Sequence, residues 1–138
     1  MQDHLQSQEE LLQEVAPGRN RVIYLLGHLV AVNDRLLPLL GLGERLYPEL
    51  DEAFLTNPDR AIGNLTDPSD LKIYWNNING KLGEGFSGLT PEEWFQRHNS
   101  VSDEEFSREP HRNKLSVVIS RTNHLASHLG QLTLVKHA

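Results

Sequence analysis

His124 and His128 stand four residues apart in Asn123-His124-Leu125-Ala126-Ser127-His128-Leu129, a spacing that puts two imidazoles one above the other on a helix face. So placed, they can tilt until their ring nitrogens are about 3.3 Å apart, the separation set by two metal–nitrogen bonds of ~2.0–2.1 Å in a tetrahedral shell. A third imidazole, His28, lies in Tyr24-Leu25-Leu26-Gly27-His28-Leu29-Val30, as apolar a setting as the chain offers. Each has a plainer reading: two helix histidines bonded to water or a neighbour, and a core histidine satisfied by one hydrogen bond. Together they are another matter. Charging all three in a small core is costly, whereas three neutral imidazoles around one divalent ion satisfy one another. Three histidines with an open fourth position are the arrangement of a catalytic site, not of a closed structural one.

The other chemistry-bearing residues point less clearly. His4 and His137 are near the ends of the chain, and His98 and His111 fall in polar stretches where a solvated ring is expected. Asp34, six residues beyond His28, reads as a surface or capping charge, and Asp103-Glu104-Glu105 as a solvated helix start. Leu125 occupies the place of the general base in H-E-x-x-H, which argues against a metalloprotease. Neither G-x-S-x-G nor a phosphate-cradling glycine loop occurs. With no cysteine there is no disulfide framework, no Cys-based zinc site and no cysteine nucleophile, which is compatible with a reducing cytoplasm.

Composition narrows the class of protein. The 138 residues make one domain over residues 1–138, long enough to remove about 68% of the unfolded surface from water without a metal or disulfide. Thirteen Lys and Arg against nineteen Asp and Glu leave a net charge of −6, and the cations are scattered. Nucleic acid and anionic membranes are therefore not expected partners. Residues 1–4 do not begin a signal peptide, and the apolar run over residues 22–32 is far short of the ~20 residues that span a bilayer, so a soluble protein is expected.

The elements that must position the histidines follow from periodicity and stop signals. Residues 3–15 are rich in helix formers, and Pro17-Gly18 ends them. Asn20 is a candidate cap for a helix running to about Leu40, with Val22, Leu25, Leu26, Leu29, Val32, Leu36 and Leu39 on its apolar face. Residues 44–67 read as a loop with one short helical turn. Ser69 is a candidate cap for a helix from Leu71 to Phe86, weakened by Gly80, Gly83 and Gly85. Thr90-Pro91-Glu92-Glu93 starts a short helix, and residues 97–113 form a polar connection with a helical turn near Ser102. In residues 112–136, Leu115, Val118, Thr122, Leu125, Leu129 and Leu132 advance by threes and fours as a bundle seam. The expected class is all-α, a four-helix bundle with long connections and one or two short extra helices.

Three segments together resemble the DinB/YfiT-like superfamily: Val22-Ile23-Tyr24-Leu25-Leu26-Gly27-His28-Leu29 with Asp34-Arg35 beyond it, Leu89-Thr90-Pro91-Glu92-Glu93-Trp94, and Asn123-His124-Leu125-Ala126-Ser127-His128-Leu129-Gly130-Gln131-Leu132. The similarity covers the chain from about Arg19 onward. Its most specific part is one histidine in the second helix combined with H-x-x-x-H and a following Gly-Gln in the last. The resemblance implies a bundle of non-standard connectivity, frequently a homodimer, and one divalent ion held by His28, His124 and His128; imidazole ligands suit Zn, Ni or Fe as they do Cu. Characterised relatives include thiol-dependent S-transferases and a mycothiol-dependent isomerase. The segment before Pro17 is shorter than the family's usual first helix, which leaves the outer wall of the pocket to a partner chain or to an apolar groove.

The leading expectation is thus a metal-dependent transferase that activates a low-molecular-weight thiol against a small electrophilic substrate. Tyr24, one turn before His28, and Gln131, one turn after His128, lie on the right faces to orient a ligand. Arg35 and Arg121 lie further along those faces, where a carboxylate contact competes with ordinary surface charge. Hydrolysis of a small amide or ester is the second enzymatic reading, with no carboxylate evident as its base. The third is a non-catalytic metal-binding or interaction bundle, supported by the short first helix and by Trp75, Phe86, Trp94 and Phe95.

Overall fold

The structure is a computed structural model that describes residues 8–63 and 65–135. The described residues form seven α-helices and no strand; two isolated bridges, Glu14 with Arg21 and Arg97 with Asn113, tie connections together. The helices are α1 (Gln8–Leu12), α2 (Val22–Leu39), α3 (Asp51–Phe54), α4 (Pro68–Gly88), α5 (Pro91–Trp94), α6 (Asp103–Arg108) and α7 (Lys114–Leu132), with a 3-10 turn at Pro48–Leu50 before α3. The all-α expectation is met. Three of the helices are long, whereas α1 has five residues, and the rest of the helix expected over residues 3–15 lies partly outside the described residues.

α2 is the centre of the molecule because it is apolar nearly all round. Val22, Ile23, Leu25, Leu26, Leu29, Val30, Ala31, Leu36 and Leu37 are all buried, and α1, α3, α4 and α7 all pack on it. It is the one described helix long and apolar enough to cross a bilayer by length and composition, and two thirds of it (67%) is buried inside the protein. Its start is at Val22, after Arg21, rather than at an Asn20 cap. Its end is a Schellman turn: Gly41 takes φ +70°, its N–H donates to the Pro38 carbonyl at 3.1 Å, and the Leu42 N–H donates to the Leu37 carbonyl at 2.8 Å.

α4 corrects two expectations. Its N-cap is Asp67, whose carboxylate accepts from the Ser69 N–H at 2.8 Å, with Pro68 in the first helical position. The helix also runs unbroken through its glycines to Gly88. Packing overrides propensity there, because Leu71, Ile78 and Leu82 are buried against the core, and a Cβ on Gly85 would lie 2.7 Å from the Leu42 side chain. The short helices carry the expected capping boxes, Thr90 with Glu93 at α5 and Ser102 with Glu105 at α6.

The seam proposed for α7 is shallow. Only Leu132 on that helix is buried, and Thr122 is exposed. α7 packs on α2 and α5, running antiparallel to α2, so that His124 and His128 meet His28 while Arg121 lies beside Leu36.

Candidate metal centre

The three imidazoles are gathered by α2 and α7. His28 Nε2 lies 3.4 Å from His124 Nε2, and His128 Nε2 lies 3.0 Å from the same atom. These separations bracket the ~3.3 Å expected of two nitrogens on one tetrahedral ion. All three candidate ligand atoms lie within 4.8 Å of one another, and each ring is half-buried. The rings are edge-on rather than stacked, with interplanar angles of 73°, 82° and 81°.

The far sides of two rings are tied down. His28 Nδ1 lies 2.9 Å from the Phe54 carbonyl oxygen, which can only accept, so this nitrogen carries the proton. His128 Nδ1 lies 2.5 Å from Gln131 Oε1, with the same consequence. Nε2 of both rings is then a bare lone pair aimed into the cluster. His124 Nε2 has one proton at most, too few to satisfy two facing lone pairs. A cation at the centre resolves the conflict, so the residues fit a divalent ion.

A proton is a poorer solution than a metal. Burial first of all holds the His28 imidazole below the ordinary histidine value; the Phe54 carbonyl opposes the shift, and His128 and Arg121 add to it. Burial does the same to His124, with His128, His28 and Arg121 all adding repulsion.

The surrounding residues fix these partners in place. The connection after α2 folds back along it and supplies two carbonyls, Phe54 to His28 and Asn57 to the Tyr24 hydroxyl at 2.7 Å. The Phe54 ring is wholly buried, and it occupies the space where a Cβ on Gly27 would stand. Asp34 anchors the start of the connection: its carboxylate, fully buried, accepts from Arg45 Nε and the Leu46 and Tyr47 N–H groups at 2.8 to 2.9 Å. Arg45 reaches on to both oxygens of Asp51, the first residue of α3. Asp59 secures the far end through Arg21, at 2.9 Å.

Of the residues singled out from sequence, His28, His124 and His128 come together. Tyr24 flanks His28, its ring near-parallel at 6.2 Å between centroids. Burial and then Asp59 push its hydroxyl above the usual tyrosine range, and that hydroxyl is engaged with Asn57. Gln131 holds a ligating ring. Asp34 is no surface charge but the anchor just described. Nor is His98 solvated: it is buried, and its Nδ1 accepts from Ser100 Oγ at 2.9 Å. His111 is exposed, as expected. His4 and His137 lie outside the described residues. The anchoring carbonyls of Phe54 and Asn57 were invisible in sequence because every residue has one. The signal for Asp34 was an acid within an otherwise apolar helix face.

No family model and no curated protein matches the chain.

Proposed function

We propose that the protein is a metal-dependent enzyme of the DinB/YfiT-like type, a bundle holding one divalent ion on His28, His124 and His128. Its proposed reaction forms a bond between the sulfur of a low-molecular-weight thiol and an electrophilic atom of a small substrate, the thiol's proton passing to the group displaced or, in an addition, to the atom beside the new bond. The observation that carries this reading is the convergence of three Nε2 atoms, two of them stripped of protons by Phe54 and Gln131. When bound, such an ion supplies Lewis acidity that lowers the proton affinity of a thiol or water joining it.

The chain's own residues do the rest. Phe54 and Gln131 hold two ligands in a single tautomer, which keeps their lone pairs directed inward. Tyr24 walls one side of His28 against water, and its proton stays on the hydroxyl, so it is a fixed donor to Asn57 rather than a base. The cluster of potential ligands found among the described residues contains histidines alone. That favours a thiol, acidic enough to need no carboxylate base, over the hydrolytic reading.

The test is metal content of the tag-free protein, stripped and reloaded in turn with zinc, nickel and iron, followed by thiol screening against generic electrophiles. About one ion per chain, lost in His28→Ala, His124→Ala and His128→Ala, with metal-dependent turnover of a thiol, is the expected result. A wild type that takes up none of the three metals overturns the reading. A loaded protein inert with every thiol overturns its transferase part.

A further inference from the structure

Three clefts open on the α2–α7 side, and Arg121 lines all of them. The largest, about 440 Å³, lies between Arg35, Leu36 and Leu39 of α2 and Arg121 of α7, and is closed by Asn99 and Ser100. On a chain with six more acids than bases, none of the three is lined by an aspartate or glutamate.

The cations around these clefts are not equivalent. Arg45 is neutralised by Asp34 and Asp51, and Arg112 by Glu105 and Glu109. Arg121 makes no ion pair with a described residue, and its Nε is buried without a hydrogen-bond partner. Arg35, exposed at the cleft's edge, also has no ion pair among the described residues. A buried guanidinium N–H left unmet is unfavourable, and in the wall of a cleft it is open to a partner that the described residues do not supply.

We propose that this cleft binds the carboxylate of a small-molecule ligand, with Arg121 as its anchor and Arg35 as a second cation. The planar fork of a guanidinium matches a carboxylate, and one half-buried and one exposed arginine between Leu36, Pro38 and Leu39 suit a single negative charge on an apolar body better than a dianion. Arg121 precedes His124 by three residues and Arg35 follows His28 by seven, so on antiparallel helices both are displaced from the cluster the same way, by about 4.5 and 10.5 Å. No histidine of the cluster lines the cleft, so a ligand whose carboxylate is held there meets the three imidazoles only by extending past Arg121. This names the substrate class of the proposed enzyme as a carboxylic acid, and that extension rests on the metal-centre reading; the anion site itself does not.

The test therefore uses protein stripped of metal. Benzoate, benzamide and inorganic phosphate are titrated while backbone amide resonances are followed by NMR. Benzoate is expected to give saturable shifts centred on Ser100 and residues 118–125, with neutral benzamide at least about tenfold weaker. Arg121→Gln should weaken benzoate by about tenfold or more, Arg121→Lys should restore part of the loss, and Arg35→Gln should weaken it a few-fold. No saturable benzoate shift, equal binding of benzamide, or tighter binding of phosphate overturns the proposal, and all three are read on wild type, independent of whether a variant folds. Benzoate bound by a protein that takes up no metal leaves the anion site standing and removes the metal centre; the reverse pattern does the opposite.

Discussion

His28 Nδ1 and the Phe54 carbonyl oxygen meet at 2.9 Å across 26 residues of chain, so a backbone group of α3 sets the tautomer of a ring on α2. That bond depends on Gly27. A Cβ there would stand 2.2 Å from the wholly buried Phe54 ring. Gly27→Ala must push Phe54 outward, straining a close-packed core by about 1–3 kcal/mol and moving the carbonyl off His28. We expect a lower urea midpoint together with weaker zinc binding in a competition titration; a normal affinity in the destabilised variant would show that the carbonyl does not set the ring.

Gln131 gives a cleaner separation of binding from folding, because it is half-buried near the end of α7 and, among the described residues, its side chain bonds the His128 ring alone. Gln131→Leu removes the acceptor for Nδ1–H. Groups that orient ligating histidines are worth about 10–100-fold in metal affinity. The variant should lose that much while unfolding like wild type, and Gln131→Glu, which keeps an acceptor, should retain affinity.

Metal should stabilise the fold, since the three ligands come from helices far apart in sequence and the unfolded chain does not gather them. At free metal 100-fold above Kd the gain is about 2.7 kcal/mol. For a domain of this size that is on the order of 10 °C in Tm. A thermal scan with zinc and with chelator measures it, and His28→Ala should abolish the difference.

How much of this was legible in sequence depends on where each signal is written. Thr90-Pro91-Glu92-Glu93 and Ser102 with Glu105 announced their helix starts because a capping box is local chemistry. His124 and His128 were legible as a pair because helical spacing fixes which side chains share a face, whereas His28 joined them only through its apolar setting and the resemblance. The depth of a position was not. His98 sits in a polar stretch and is buried, since the Asn99 N–H and side chain fasten that connection to the Leu39 and Pro38 carbonyls at the end of α2. Asp67 outcompeted Ser69 as the cap of α4, a choice between residues two apart with the same capacity. The carbonyls of Phe54 and Asn57 could not be foreseen, because which backbone oxygen meets a side chain is decided by the path of the connection.

His98 makes the metal-free protein sensitive to acid. Burial above all, and then Arg112, Arg121 and Arg97, hold its imidazole below the ordinary value of 6.5. Between that value and the folded one, the unfolded chain binds a proton that the native state refuses. Stability is therefore level above about pH 6.5 and falls as the pH drops below it. His28 and His124 shift the same way, so the test is a comparison. His98→Gln, which keeps an acceptor for Ser100, should lose less urea midpoint than wild type between pH 7.5 and 5.5. An identical loss would mean that His98 titrates normally.

Asp34 should be the most sensitive position outside the histidines. Its buried carboxylate satisfies the Leu46 and Tyr47 N–H groups and one edge of Arg45, and Arg45 passes the restraint to Asp51 at the start of α3. Asp34→Ala leaves two backbone donors and part of a guanidinium unmet, at about 3–5 kcal/mol. Arg45→Met alone strands the carboxylate but leaves it two N–H donors, so it should destabilise less. In the double variant the two losses should fall short of additive, because the charge left behind by either single change is gone. Since α3 carries the Phe54 carbonyl, Asp34→Ala should also weaken zinc binding in whatever fraction remains folded. Strict additivity would show that the pair acts as two independent hydrogen-bonding groups, and unchanged zinc affinity would show that α3 holds its place without it.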